Sequence, residues 1–444
     1  MLFHLASDVL SANRFLPLTA RSSLILRLFL VPILLVSVQL YHAFTLREHF
    51  QTMQLDHLHS RVNSSFHERT DWQSNARLKP SESFGACLMI KEDNDLLFEW
   101  LAYHYTTLPL RYVFVGSDEG NTQDPIQVLQ RWKDAGTGLQ FWVVNATDFH
   151  RRGAHSSSFS TSATQRRGIY SVEHEEAHHS FVHRQRSFIT TCVKFLKSQG
   201  LEWVTLIDTD EFLVMNSVGS AENITAREVD VNTGNNRRII DPIAFQQRHT
   251  LPSLESQGTV LEAIRTIESI HTLGPCYTVP RLLYGALENV TCEKATSDVQ
   301  LARSKFRYEE LSTLRFTQHA KKGDFAKSKY GKVIIDVSQL SNETIERAPR
   351  NIHRPYKPEC GPGAVGNFAE SLFYLNHYIG SWERYASRKD FRRNRVEWEL
   401  RAHLTAGNSC EHEVFRWISR FVAMVGEVRA QYLLGGERTS FIQE

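Results

Sequence analysis

The feature that most constrains this chain is an apolar strand that ends in acid. Trp203-Val204-Thr205-Leu206-Ile207 is continuous and rich in β-branched residues, and Asp208, Asp210 and Glu211 follow it directly. An uninterrupted apolar run of this length is the pattern of a central strand covered on both faces. In open α/β sheets, ligands bind outside the carboxyl ends of such strands, so the acids are expected at the rim of a site. The surrounding pattern agrees. Strand-like runs at Phe84–Ile90, Arg111–Gly116 and Leu139–Val144 alternate with helical stretches. One of these carries Leu96, Leu97, Trp100, Leu101 and His104, and another runs Pro125–Trp132. A long helix, about Glu173–Ser198, leads into the acid-ended strand. Further strands are expected near Tyr277–Leu283, Lys332–Val337 and Leu372–His377, and helices over Ser381–His403 and Glu413–Ala430 close the chain. The expected fold class is α/β, a Rossmann-like, mixed and mostly parallel sheet sandwiched by helices.

The first residues carry a different signal. From Leu28 to Phe44 no residue is charged, and Leu24, Ile25 and Leu26 extend the apolar stretch upstream of Arg27. That length is close to the minimum for a membrane-crossing helix. Arg14, Arg21 and Arg27 precede it, which places the N-terminus on the cytosolic side. The reading is a cytoplasmic tail at 1–23, a transmembrane signal anchor at 24–44, a polar stem at 45–83 and a globular domain at 84–432. A cleaved signal peptide is the alternative, and no A-x-A site follows Phe44. Either places the domain in the lumen of the secretory pathway. Six cysteines suit that compartment. Cys276 with Cys292 and Cys360 with Cys410 are plausible local pairs, whereas Cys87 and Cys192 lie in apolar runs and read as core residues. Asn63, Asn145, Asn223, Asn289 and Asn342 begin N-x-S/T acceptors. A formal charge of only +2 supplies no field for nucleic acid, which is not an expected partner. The stretches His150–Arg167 and Asn232–Arg238 read as loops.

Asp208 and Asp210 carry the expected chemistry. On an extended chain the two side chains share a side and would repel unless a cation lies between them. Hard divalent ions take such oxygen ligands together with substrate phosphates, and can neutralise charge growing on a diphosphate leaving group. The alternative is an acidic turn that caps the following helix.

The block Glu202-Trp203-Val204-Thr205-Leu206-Ile207-Asp208-Thr209-Asp210-Glu211-Phe212-Leu213 resembles the D-x-D block of glycosyltransferases with the GT-A fold. More narrowly, it resembles glycosyltransferase family 92 and its relatives in the wider family-2-like group. The likeness extends over most of residues 84–392, with long gaps. Cys87 to Glu92, followed by Glu99-Trp100-Leu101 and His104, is similar to that group's K-N-E and E-W-L-x-x-H opening. Tyr112 to Asp118, with Asp124 beyond, looks like its second strand, and Arg184-Gln185 with Cys192 like its R-Q…C helix. Pro280-Arg281 with Tyr284-Gly285, Lys329 to Lys332, and Asn376-His377-Tyr378 with Ser381 and Glu383 match later elements in order. The resemblance implies transfer of a sugar from a nucleotide donor, usually with inversion and Mn²⁺ (or Mg²⁺). A UDP-sugar, UDP-galactose first, would be the donor and a glycan or glycoprotein the acceptor, in the Golgi. Asp208 and Asp210 would hold the metal with His377, or failing that His353, and Lys91, Asp118, Arg184, Gln185 and Lys332 would contact the nucleotide. One departure stands out: related blocks often read H-Y-x-x-K-S, and here Gly380 occupies the lysine's place.

Candidates for a general base are Glu288, Asp324, Glu370 and Glu383. His174, His178, His179 and His183 have i,i+4 spacings on the long helix but no H-E-x-x-H, and read as a solvated face. There is no P-loop and no G-x-S-x-G. The competing reading is a lumenal glycan-binding or scaffold protein that has the fold without catalysis.

Overall fold

The structure is a computed structural model. It describes residues 78–145 (apart from 119), 172–215, 259–269, 274–286, 297–321, 331–347, parts of 352–359, 373–388, 393–406 and 417–436. All belong to one compact unit, Trp72–Glu444. The anchor at 24–44, most of the stem at 45–83 and the loops at 150–167 and 232–238 fall outside the described residues. Among the described residues no helix is long and apolar enough to cross a membrane.

Among the described residues nine strands form two sheets: β1 Phe84–Ile90, β2 Leu110–Ser117, β3 Gln140–Asn145, β4 Trp203–Leu206, β5 Glu211–Met215, β6 Cys276–Val279, β7 Arg281–Tyr284, β8 Lys332–Asp336 and β9 Phe373–Tyr378. The larger has the order β3-β2-β1-β4-β8-β6, the smaller β5-β9-β7. Strands β3, β2, β1 and β4 run parallel, β8 is antiparallel to β4, and β6, antiparallel to β8, returns to the direction of the first four. The expected mixed, mostly parallel α/β sheet is present.

Period-two alternation explains why both faces of β1 are covered. Phe84, Ala86, Leu88 and Ile90 enter one core with Trp100, Leu101, Leu129 and Trp132 from helices α1 (Asn94–Thr107) and α2 (Ile126–Asp134). Cys87 points the other way, into a second core with Phe188, Cys192, Val193 and Leu196 of helix α3 (Val172–Ser198). At Gly116 a Cβ would lie 2.7 Å from the Phe188 ring, so α3 can approach β2 only because that side chain is missing.

Four sequence expectations are corrected. Cys87 and Cys192 are not simply core residues: they form a disulfide that ties β1 to α3. Cys276 is disulfide-bonded too, while the other three cysteines fall outside the described residues. The single strand expected near Tyr277–Leu283 is two, β6 and β7, one in each sheet, with Pro280 at the break. Proline has no N–H to give a ladder, so the chain changes partners there. Each closing helix is also divided, at Asn394, whose backbone is extended, and at Gly426, whose φ of 85° interrupts the helical backbone.

The disulfide encloses 105 residues of sequence separation. Replacing both Cys87 and Cys192 by Ala should remove about 2–5 kcal/mol of stability in denaturant titration. An unchanged midpoint would show that the link adds nothing.

Candidate functional site

The acid-ended strand β4 stops at Leu206, and Ile207 to Asp210 turn the chain from the large sheet to the small one. The turn closes with the Glu211 N–H donating to the Asp208 carbonyl at 3.1 Å. The extended geometry expected across Asp208 and Asp210 is therefore corrected to a turn, and the two carboxylates reach different cations. Neither does a helix follow; the acids lead into β5. Strand β5 is fixed by pairing with β9 on one side and by α1 on the other. Trp100 Nε1 donates to the Glu211 carbonyl (3.1 Å), Tyr103 Oη to the Leu213 carbonyl (2.8 Å), and the Leu213 N–H to His104 Nε2 (3.3 Å). The E-W-L-x-x-H segment thus holds the site's floor. Glu99 of the same segment accepts from Ser312 N, Thr313 N and Thr313 Oγ1, and burial pushes its carboxyl up to about 7 despite those bonds.

Two charge clusters surround the turn. In the first, the buried Lys332 ammonium lies 2.6 Å from Asp208 Oδ2 and 3.2 Å from Glu211 Oε2, and Arg281 is 3.2 Å from Glu211 Oε1. Burial would raise Asp208, yet the Lys332 charge prevails and holds it low; fully buried Glu211 is raised, burial outweighing both cations. The Asp208 side chain remains 44 % exposed, so it is the acid that opens toward solvent. In the second cluster, Arg388 bridges Asp93 (2.5 Å) and Asp210 (2.9 Å), and Arg393 stands 3.9 Å from Asp210. Burial opposes ionisation of Asp210, but Arg388 and its neighbours hold it well below the usual carboxylate range. Thr209 donates to Asp93 at 3.0 Å. Asp93 was missed in sequence because nothing in its helix-leading position shows that Arg388, far along the chain, folds onto it.

The expected metal ligands divide in an informative way. Arg388 takes Asp210 Oδ2, but Asp210 Oδ1 is buried without a hydrogen-bond partner. It lies 3.8 Å from His377 Nε2. That is too long for a hydrogen bond, yet within the separation of two donors each about 2.1 Å from one ion. Burial lowers His377 to about 3, so its imidazole is neutral and has a lone pair to offer. His353 is lowered to about 4, by burial and then by Lys332 and Arg281. Its Nδ1 lies 2.6 Å from the Gly331 carbonyl oxygen, the contact that fixes a tautomer with Nε2 unprotonated. Asp210 and His377 thus fit a cation. Among the described residues no group of three His, Cys, Asp or Glu side chains is arranged to hold one.

The expected nucleotide contacts also separate. Lys332 belongs to the first cluster. Asp118, after β2, and Arg184, on α3, are buried and pair with each other at 3.3 Å, with Gln185 half-buried beside them. Lys91 follows β1 directly, and its ammonium lies 3.9 Å from the position a Cβ would take at Gly120. The next residue, Glu92, holds a left-handed φ of 54° and accepts from Thr122 N and Oγ1, a strained turn at the sheet's carboxyl edge. Of the base candidates only Glu383 is described. It is exposed at the start of a helix and held low, by a backbone hydrogen bond and then by Ser381. His183 is exposed, in keeping with a solvated face.

Replacing Lys332 by Met should cost about 3–5 kcal/mol, because Asp208 and Glu211 lose a buried partner. Adding Glu211→Gln should recover part of this in the same melt. The histidines set a pH dependence. The unfolded chain protonates them near 6.5, whereas the fold refuses the protons until about 4 and about 3. Stability from this source is complete above that unfolded value and is lost as pH falls toward 4. A His353→Gln, His377→Gln protein should show a flatter stability profile from pH 7 to 4.

No family model, no curated protein and no solved structure matches this chain.

Proposed function

We propose that this chain is a glycosyltransferase that moves a sugar from a nucleotide-sugar donor to a glycan or glycoprotein acceptor, as an anchored protein of the Golgi lumen. The observation that carries the reading is the orphaned Asp210 Oδ1 facing the neutral His377 Nε2 at the carboxyl end of the sheet. A buried carboxylate oxygen without a donor is costly, and a divalent cation would satisfy it. The ordered resemblance to family 92 and the GT-A group supports the same reading, with the buried E-W-L-x-x-H segment and the Lys332 strand both converging on this turn.

In this reading Asp210 and His377 would hold Mn²⁺ or Mg²⁺, Asp208 would have to turn from Lys332 to join them, and the ion would supply neutralisation of a departing diphosphate. The chain's own residues have distinct tasks. Arg388 keeps Asp210 ionised and oriented through Oδ2, leaving Oδ1 to the ligand. Lys332 does the same for Asp208. Tyr378 N–H donates to the Asp210 carbonyl at 2.9 Å, so β9 positions His377 and Asp210 as one unit. UDP-galactose is the first donor to try.

A second reading, a glycan-binding or scaffold protein without catalysis, is favoured by one observation: Lys332 and Arg388 already balance both aspartates. Metal titration in the presence of UDP separates the two. The transferase reading expects Mn²⁺-dependent UDP binding and donor hydrolysis, both reduced about 10²-fold or more by His377→Ala and by Asp210→Asn. A folded His377→Ala protein with undiminished hydrolysis, or a wild-type chain that binds glycan but no UDP at any Mn²⁺ concentration, would overturn it.

A further inference from the structure

Two of the N-x-S/T acceptors lie on described residues, Asn145 and Asn342, and both asparagines are exposed. Asn145 is followed by Ala146 and Thr147, so no proline blocks the acceptor. It is the last residue of β3, opposite Ser117 of β2. Strand β3 is the outermost of the large sheet on that side, and among the described residues it pairs with β2 alone. Its burial sets it apart from its neighbours. Strands β1, β2, β4 and β8 are buried almost throughout, whereas both ends of β3 are exposed and the four residues between them are only half-buried. Phe141 and Val143 lean on the first core, and Trp142 and Val144 on the second, so apolar surface reaches solvent on both faces.

An outer strand is ordinarily kept from pairing with another chain by a charge, a proline or a bulge. Strand β3 has none of these. Gln140 to Asn145 contains no charged residue and no proline, and its register with β2 is unbroken. A short, uncharged run rich in aromatic and β-branched residues is the pattern that stacks into intermolecular sheets. A bulky, hydrophilic group at the exposed end of the strand would supply the missing protection. We propose that Asn145 carries an N-linked glycan that shields β3 from pairing with other chains. The co-reactant is an oligosaccharide on a polyisoprenyl diphosphate, delivered by the host cell's own transferase. The Asn145 amide nitrogen forms a bond to C1 of the first sugar, the C1–O bond to the diphosphate breaks, and the amide proton passes to a base of that transferase. The proposal rests on the lumenal placement of the domain and not on the transfer chemistry proposed for Asp210 and His377.

The test uses the full chain expressed in a eukaryotic secretory cell. Microsomes are treated with protease, with and without detergent, to place the domain. In parallel the chain is deglycosylated by peptide N-glycanase in heavy-oxygen water and its peptides are weighed. Protection of the domain and conversion of Asn145 to labelled aspartate are expected. Asn145→Gln and Thr147→Ala, which remove the same acceptor through different residues, should each migrate faster than the wild type by one glycan and lose monomer to aggregate on size exclusion. Asn342→Gln, which removes the acceptor in the helix Asn342–Glu346, should stay monomeric. A protected domain with unmodified Asn145, or Asn145→Gln and Thr147→Ala proteins as monomeric as the wild type, would overturn the proposal and leave the lumenal placement standing. A domain digested without detergent would sink both. A glycan at Asn145, with aggregation of the variants, in a chain that hydrolyses no nucleotide sugar would support the shield while sinking the transferase reading.

Discussion

Charge compensation under burial governs this structure. Asp93, Asp210 and Glu211 are withdrawn from water at the point where the chain leaves one sheet for the other. An isolated buried carboxylate is too costly to keep ionised. Each is therefore reached by a cation from a distant part of the chain: Lys332 and Arg281 for Glu211, Arg388 for Asp93 and Asp210. These contacts span the residue before α1, the turn after β4, the start of β5, β7, β8 and the segment after β9, so the ionic network also records the correct assembly of the domain. A site of this kind gains little net stability from its ion pairs but loses much if one member is removed.

The second constraint is the short strand β5. Its outer edge is met by side chains of α1 in place of another strand, through Trp100, Tyr103 and His104. Burial lowers His104 to about 3, which keeps the imidazole neutral and able to accept the Leu213 N–H through Nε2. The adjacent Nδ1 lies 2.9 Å from the Trp100 carbonyl, which fixes the tautomer. The helix that carries the E-W-L-x-x-H segment thus acts as scaffold. It sets the height of β5, and β5 with β9 sets the distance between Asp210 and His377.

The two ends of the Asp210 carboxylate face different chemistry. Oδ1 meets a neutral imidazole and Oδ2 a guanidinium. One oxygen is committed to structure and the other is left with an unsatisfied lone pair, an asymmetry expected of a ligand-holding acid more than of an ordinary ion pair.

The sequence alone determined the parts governed by local rules. Apolar runs and helical spacing marked β1 to β4 and the first three helices nearly to the residue, because both are properties of neighbouring positions. They also located the acids at the carboxyl end of the central strand. Only the tertiary structure decided how those acids are used. The turn at Asp208 to Asp210, the strand β5, the division at Pro280, the disulfide between Cys87 and Cys192 and the recruitment of Asp93 and Arg388 all join residues distant in sequence. Local periodicity has no term for such pairings. Which cation reaches which carboxylate is settled by burial and distance in three dimensions, and a linear pattern encodes neither.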